Sequence, residues 1–341
     1  MTTRVLILAG GQSEEHTVSL TSARSVLDAL VDSKLDATAL VIARDGRWLG
    51  PAESARSVAS GTTEPGGRSL QEGIEVVREF DVVFPLLHGP NGEDGTVQGL
   101  LELIGVPYVG SGVLASAVCM DKVMSKDLLA HHGFEQLAYT LVDRYEWRHA
   151  RNAIVSRIQE QLHGALFVKP ANLGSSIGIS KVQDSASLAA AIDLAVKHDR
   201  RVIVEQALAG ARELEVGLMG NAQVEVSPVG EIRYDAEFYD YDTKYTDGRA
   251  TLHIPAEIPT SASETIRGEA TRAFKVLDCA GFARIDYFYQ PSSGRCFLNE
   301  VNTIPGFTPQ SMFPKLWYET GLNYRDVVER LVSLALERHR G

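Results

Sequence analysis

The tightest constraint on this chain lies between Ala283 and Asn302, where ARIDYFYQ and CFLNEVN read as two strands joined through PSSGR. Alternation along a strand places every second side chain on one face. Glu300 and Asn302 therefore share a face, and so do Arg284 and Asp286. If Pro291 to Arg295 form a five-residue turn, Asp286 stands opposite Glu300 and Arg284 opposite Asn302. Two carboxylates, an amide and a guanidinium then converge on one patch of an otherwise apolar strand pair. Carboxylates this close, among apolar neighbours, need a counter-charge to stay ionised. Oxygen-only donors suit Mg²⁺, which is usually shared with nucleotide phosphates. A cross-strand ion pair of Arg284 with Asp286 and Glu300 accounts for the same residues without any ligand. Both readings stand at this point.

The chain has 341 residues, enough for two or three domains and a large core. A formal net charge of −11 argues against nucleic acid or an anionic membrane surface as principal partner. An anionic ligand would have to find a local cluster of positive charge. Cys119, Cys279 and Cys296 are widely spaced in apolar contexts and form neither a metal pattern nor a disulfide framework. The apolar start, MTTRVLILAGG, is too short for a signal peptide or membrane span, so a soluble cytoplasmic protein is expected.

Three units are expected. RVLILAGG (4 to 11) reads as a buried parallel strand ending in a glycine turn, followed by a helix over 18 to 31. Strands at 36 to 43 and 81 to 87, with helices between, continue a doubly wound α/β layout over 1 to 120. The stretch from Ser57 to Gly67 is expected to be a loop. Residues 121 to 212 hold helices at 121 to 132 and 145 to 162 and short strands at 165 to 170, 177 to 182 and 201 to 206. Residues 213 to 341 are strand-rich as far as Thr303 and close with helices over 309 to 340. Inside them YDAEFYDYDTKYTDGRA (234 to 250) is long, polar and rich in tyrosine, the pattern of a functional loop.

Several further segments carry chemistry, each with a plainer alternative. FVKPANLGSSIGISKV (167 to 182) is strand, small-residue loop and strand; its backbone N–H groups can approach a phosphate with Lys169 at the edge, or it is a simple hairpin. In VIVEQALAGARELEV (202 to 216), Glu205 and Glu213 can accept from a base amine and ribose hydroxyls, or be solvated acids. His88 ends a buried strand before a glycine-rich turn, where open α/β sheets bind ligands. Glu93 and Asp94 beside it read equally as helix caps. Glu14, Glu15, His16 and Ser19 follow the first strand; a carboxylate there can hold an ammonium group or cap a helix. A Gly-Ser-Gly turn at 110 to 112 opens a helix suited to an anion, with Lys122 and Lys126 on one helix face beyond it.

Taken together and in order, GGQSEEHTVSL, HGPNGEDGTVQG, YVGSGVLASA, MDK, VKPANLGSSIGISKV, FYDYDTKY, ARID and NEVNTIPGFT closely resemble the D-alanine–D-alanine ligase family of ATP-grasp enzymes across nearly the whole chain. The resemblance implies an α/β fold with α+β parts. An N-terminal doubly wound parallel sheet (1–120) would precede two α+β subdomains, 121–212 and 213–341, that clamp the nucleotide. It implies that Lys122 and Lys169 contact the ATP phosphates under a loop carrying Ser175 and Ser176. Glu205, Gln206 and Leu208 would line the adenine site, with Glu213 on the ribose. Asp286, Glu300 and Asn302 would hold two Mg²⁺ ions, or Mn²⁺ in their place. Glu15 would hold the ammonium of the first D-alanine, near Ser19 and His88. Arg284 and the backbone at Gly306 would stabilise the oxyanion, and Ser311 and Met312 would flank the second D-alanine. Tyr245, in the lid, would bond towards Ser175 and Glu15, with Lys244 beside it. The partners implied are D-alanine and ATP, in a homodimer. Thr17 departs from the family, where an acidic residue is frequent after Glu15-His16; it adjoins the first substrate site.

Rival readings are a ligase that takes D-lactate or D-serine second, one for another amine or acid, and a non-catalytic nucleotide-binding protein on the same fold. FYDYDTKY favours the dipeptide, and the complete set Lys169, Arg284, Asp286 and Glu300 speaks against a pseudoenzyme. Acyl phosphates hydrolyse, so a lid must exclude water. The segment from Tyr234 to Ala250 is the candidate for that lid, and deleting it is expected to raise ATP hydrolysis relative to dipeptide formed. Unchanged coupling of the two would rule the segment out as that lid.

Overall fold

The computed structural model describes residues 2–174, 178–234 and 250–340; Ser175, Ser176, Lys244 and Tyr245 lie outside them. Among the described residues there are three sheets. The first is parallel, in the order β2 (Leu35–Ile42), β1 (Thr3–Gly10), β3 (Val82–Pro85). Helices α1 (His16–Ala29) and α2 (Pro51–Ser60) pack on it, and α3 (Leu70–Val77), α4 (Thr96–Ile104) and α5 (Val113–Met120) follow along the chain before α6 (Lys122–His131). The expected loop from Ser57 is overturned at its start, because Ser57 to Ser60 complete α2. Small side chains let that helix sit close: Ser54 is buried and its Oγ accepts from the Val41 N–H at 3.0 Å. Gly10 has φ +87°, and a Cβ there would stand 2.3 Å from the Ile42 carbonyl oxygen, so the turn into α1 needs glycine.

The second sheet is antiparallel: β4 (Tyr139–Asp143), β7 (Arg201–Gln206), β5 (Leu166–Pro170), β6 (Ser180–Val182). One face is covered by α7 (Arg144–Gln161) and α8 (Ser185–His198), which share a core with Val168, Val202 and Val204. Alternation then turns Phe167, Lys169 and Glu205 the other way. The third sheet runs β10 (Ala250–His253), β9 (Val224–Tyr234), β8 (Arg212–Gly220), β11 (Gly281–Gln290), β12 (Arg295–Asn302). A helix over Thr260–Val276 packs Ile266, Ala270 and Phe274 against Leu214, Val216, Ile285 and Tyr287. Strand β4, helix α8 and this helix are additions to the elements expected from the sequence.

The N-terminal sheet does not close its core alone. The final helix, Tyr324–Arg338, brings Val327, Val328, Leu331 and Val332 into the cluster that holds Val5, Ile7 and Phe84. Four phenylalanines continue that junction: Phe307 lies 5.4 Å from Phe84 and 5.8 Å from Phe282, and Phe282 lies 5.4 Å from Phe313, between ring centroids. These separations suit edge-to-face packing. Hydrogen bonds from Arg325 Nε to the Ala29 carbonyl and from Ser33 Oγ to Glu329, both 2.7 Å, fasten the same contact. Phe307→Ala is expected to cost about 3–5 kcal/mol of folding stability, read from equilibrium denaturation. A loss below about 1 kcal/mol would mean the junction collapses around the vacancy.

Candidate active site

The strand pair read from the sequence has the expected register, reached by an unexpected route. Arg284 pairs with Asn302 and Asp286 with Glu300. The turn, however, is one residue shorter than expected, since Gln290 pairs with Arg295 and Pro291 to Gly294 make the bend. A bulge makes up the difference: the pairing steps from Asp286–Glu300 to Tyr287–Leu298, leaving Asn299 as the extra residue. Without it, strict alternation would put Leu298, Glu300 and Asn302 on one face, either drawing Glu300 and Asn302 into the core or turning Leu298 out of it. Instead Leu298 joins Tyr287 in the core.

Strand β8 extends the pattern across a third strand, with Glu215 opposite Asp286 and Gly217 opposite Arg284. Glu215, Asp286 and Glu300 thus form one row, and Arg284 sits in the next. The guanidinium grips Asp286 through both oxygens, Nε to Oδ1 and Nη2 to Oδ2 at 2.7 Å each, and its Nε lies 2.9 Å from Glu215 Oε2. Burial alone would ease the proton off Arg284; Asp286 and Glu215 outweigh it and hold the group firmly charged. Asn302 Nδ2 donates to Asp286 Oδ2 at 3.0 Å. The plain ion-pair reading is therefore partly right, with Glu215 in a place the sequence reading left empty.

Facing this row across a cleft of about 820 Å³ is the second sheet. Helix α6 (Lys122–His131) starts under an Asp121 cap, whose Oδ1 accepts from the Val123 and Met124 N–H groups. Lys122 Nζ donates to the Leu173 carbonyl at 2.8 Å and stands 3.5 Å from Glu300 Oε2. Lys169 Nζ lies 2.7 Å from Glu205 Oε2, while Lys126 Nζ lies 2.6 Å from Glu205 Oε1. Glu205 is 1 % exposed, so the solvated reading is set aside. Its burial would raise the carboxyl, but Lys126 and then Lys169 pull it down to about 2. Tyr234 donates to Glu213 Oε1 at 2.5 Å. Gln206 and Leu208 line the same cleft where the chain passes from β7 to β8, between two different sheets.

The other expected residues gather at the end of the parallel sheet. Glu15 stands at the N-cap position of α1, yet among the described residues its side chain does not cap that helix. It faces His88, whose charged form it favours, against burial, which dominates and keeps the ring neutral. His88 Nδ1 is 3.2 Å from the Ile304 carbonyl, just past β12, and its Nε2 has no hydrogen-bond partner among the described residues. The phosphate-type loop begins against this group, because a Cβ on Gly174 would lie 3.0 Å from Glu15 Oε2 and 3.7 Å from Glu93 Oε1. Ser19 is fully buried, donating to the Leu86 carbonyl and accepting from the Gly10 N–H, so it braces the strand end. Past β12 the bend brings Gly306 beside Ser311, whose Oγ accepts from the Thr308 N–H at 3.1 Å. Met312 puts its side chain into a small core with Ile232 and Leu316. Thr17 is exposed, with Arg44 Nη2 3.5 Å from its hydroxyl.

Could these residues hold divalent cations? Among the described residues no three His, Cys, Asp or Glu side chains cluster closely enough to do so unaided. Two carboxylates plus an amide oxygen, at the cleft floor, are instead a partial all-oxygen set. Such a set fits a hard cation that completes its shell with phosphate oxygens and water.

The sequence matches the family model for the D-ala D-ala ligase N-terminus over residues 4–111 and that for the C-terminus over 128–333. The chain belongs to the D-alanine–D-alanine ligase family. Over 338 residues it is 56 % identical to the D-alanine–D-alanine ligase of Deinococcus radiodurans, covering 99 % of each chain. Among solved structures it resembles the VanG D-Ala:D-Ser ligase from Enterococcus faecalis, at 34 % identity and TM-score 0.83, covering 98 % of this chain and 100 % of that one. It also resembles the D-alanine–D-alanine ligase from Coxiella burnetii, at 31 % identity and TM-score 0.81, covering 99 % and 96 %. The ATP-grasp fold expected from the sequence is thereby established. Among the described residues no helix is long and apolar enough to cross a membrane.

Three residues of this ligase have places that the sequence did not assign: Glu93 and Lys126, seen there only as a cap and as a helix-face lysine, and Glu215. Glu93 is no helix cap; its Oε1 accepts from the Gly89 N–H at 2.8 Å and its carboxyl faces the cleft. Burial first, and the nearby Glu15 second, raise it to about 8, so it is neutral at pH 7. A carboxyl raised by folding adds stability below its ordinary value of 4.5, and that share is lost as pH climbs through about 8. Wild type should therefore lose stability relative to Glu93→Gln across that window, followed by denaturation midpoints at stepped pH. Parallel midpoints for the two proteins would show that Glu93 ionises normally.

Proposed function

We propose that this family member joins two D-alanines into D-alanyl-D-alanine at the expense of ATP, through D-alanyl phosphate, for peptidoglycan precursor synthesis. The observation that carries the reading is the pair of in-register rows, Asp286 with Glu300 and Arg284 with Asn302, facing Lys122 and Lys169 across one cleft. The segments 1–120, 121–212 and 213–341 then serve as substrate unit and two nucleotide-clamping units, in a cytoplasmic homodimer.

A carboxylate is a poor electrophile because oxide would have to leave. Phosphorylation converts it into an acyl phosphate with a good leaving group, and the free amine of the second D-alanine then attacks. Catalysis of the phosphoryl step is mainly positioning and charge neutralisation. Lys122 and Lys169 supply ammonium groups for the phosphates, Glu205, Gln206 and Leu208 the adenine pocket, and Glu213 a ribose acceptor held by Tyr234. Bound divalent cations, two in this reading, would screen phosphate charge at Asp286, Glu300 and Asn302. Glu15 takes the first ammonium beside the neutral His88, and Ser19 braces the strand that presents them. Arg284 and the Gly306 backbone face the acyl oxygen, and Ser311 and Met312 border the second amino acid. Ser175, Ser176, Lys244 and Tyr245 complete the set from outside the described residues.

The similarity to a D-Ala:D-Ser ligase makes the second amino acid worth testing. Phosphate release with ATP, Mg²⁺ and D-alanine, with products identified and with L-alanine, D-serine and D-lactate in parallel, is the decisive assay. Dipeptide matched one-to-one with phosphate, and none with L-alanine, is expected. Mixed D-alanyl-D-serine as the main product would move the chain to the other specificity. Glu300→Gln keeps the shape but removes a charge, and should lower turnover by about 10²- to 10³-fold.

A further inference from the structure

Lys126 is a buried charge that the proposed chemistry leaves unused. Its side chain is 3 % exposed, its ammonium lies 2.6 Å from Glu205 Oε1, and it does not line the cleft. Lys169, which does line the cleft, holds the other oxygen of the same carboxylate at 2.7 Å. One carboxylate thus carries two cations, one behind it and one in front. A buried acid with a single cation would bind that cation tightly, because removing the sole partner strands a charge in an apolar site. Lys169 could then leave for a phosphate only with difficulty.

We propose that Lys126 is a positioning residue for the nucleotide site, compensating Glu205 from behind so that Lys169 is free to serve the phosphates. The inference rests on the nucleotide reading of Lys169 and Glu205 given above. Lys126 also acts on Glu205 more strongly than Lys169 does, as expected of the permanent partner. Helix α6 fixes it in place, its backbone carbonyl accepting from Gln136 Nε2 at 2.9 Å.

The test is calorimetric titration of the full-length protein with ADP and Mg²⁺. Lys126→Met keeps the length of the side chain without its charge, and should weaken ADP binding at least roughly tenfold, with KM for D-alanine unchanged. Lys126→Gln, which keeps a hydrogen-bond donor to Glu205 but not the charge, should show a loss of the same size. A purely structural role for Lys126, filling space and donating a hydrogen bond, predicts instead that Lys126→Gln binds ADP like wild type, or that KM for D-alanine rises in step with the ADP loss. Wild-type ADP affinity in either variant, or a parallel rise in KM for D-alanine, overturns the inference. If Lys126→Met does not fold, Lys126→Gln decides against wild type: roughly tenfold weaker binding supports it, and binding within about threefold overturns it. Failure of wild type itself to bind ADP would instead sink the nucleotide reading.

Discussion

Like charges on neighbouring strands repel, and the Arg284 guanidinium is what lets Glu215 and Asp286 lie side by side in a buried sheet. Both carboxylates belong to the least exposed part of the cleft floor, at 5 % and 9 %. Either charge, left unpaired at that depth, would be costly. The bidentate grip on Asp286 and the 2.9 Å contact to Glu215 remove that cost with one rigid planar group. Lysine could not do both, being a single point of charge. The rest of the site is arranged around this fixed point.

The position of that point relative to the first substrate group depends on packing far from either. His88 and Glu15 sit at the end of the parallel sheet, and Arg284 sits on the antiparallel one. Two things join them: the contact of His88 Nδ1 with the Ile304 carbonyl, and the core in which the final helix and Phe307 meet the N-terminal sheet. The first is a local reach of 3.2 Å, easily lost alone. The second is a buried apolar junction that fixes the two sheets at one separation, and it makes the local bond possible. Residues 297 to 340 therefore serve both bodies.

How much of this was legible in the sequence follows from the range of each interaction. The hairpin register could be read because alternation is local and both strands lie within 20 residues. The turn was misjudged by one residue, and the bulge at Asn299 concealed the error, since only a demand for Glu300 on the cleft face fixes it. Helix α8 and the Thr260–Val276 helix were missed because alanine supplies much of their apolar stripe, muting the periodicity. Lys126 and Glu215 had visible signals, one four residues after Lys122 on a helix and one two after Glu213 on a strand. Their roles did not, because Glu205 and Arg284, their partners, are 79 and 69 residues away. Glu93 looked like a cap because acids at helix starts usually are; only burial beside Glu15 reveals otherwise.

The net charge of −11 is a further case in which a global quantity misleads about a local one. At physiological ionic strength the Debye length is about 8 Å, so most surface acids contribute little inside the cleft. What matters there is pairing. Glu205 is shared by two lysines, and Asp286 and Glu215 share an arginine. Glu93 carries its own proton. These four buried acids are thus offset before any ligand arrives, and Lys122 and Lys181 also line the cleft. An acidic chain can present a surface fit for a polyanion because its acids are neutralised one by one where the anion lies. Charge counted over the whole sequence cannot register that, whereas charge counted strand by strand does.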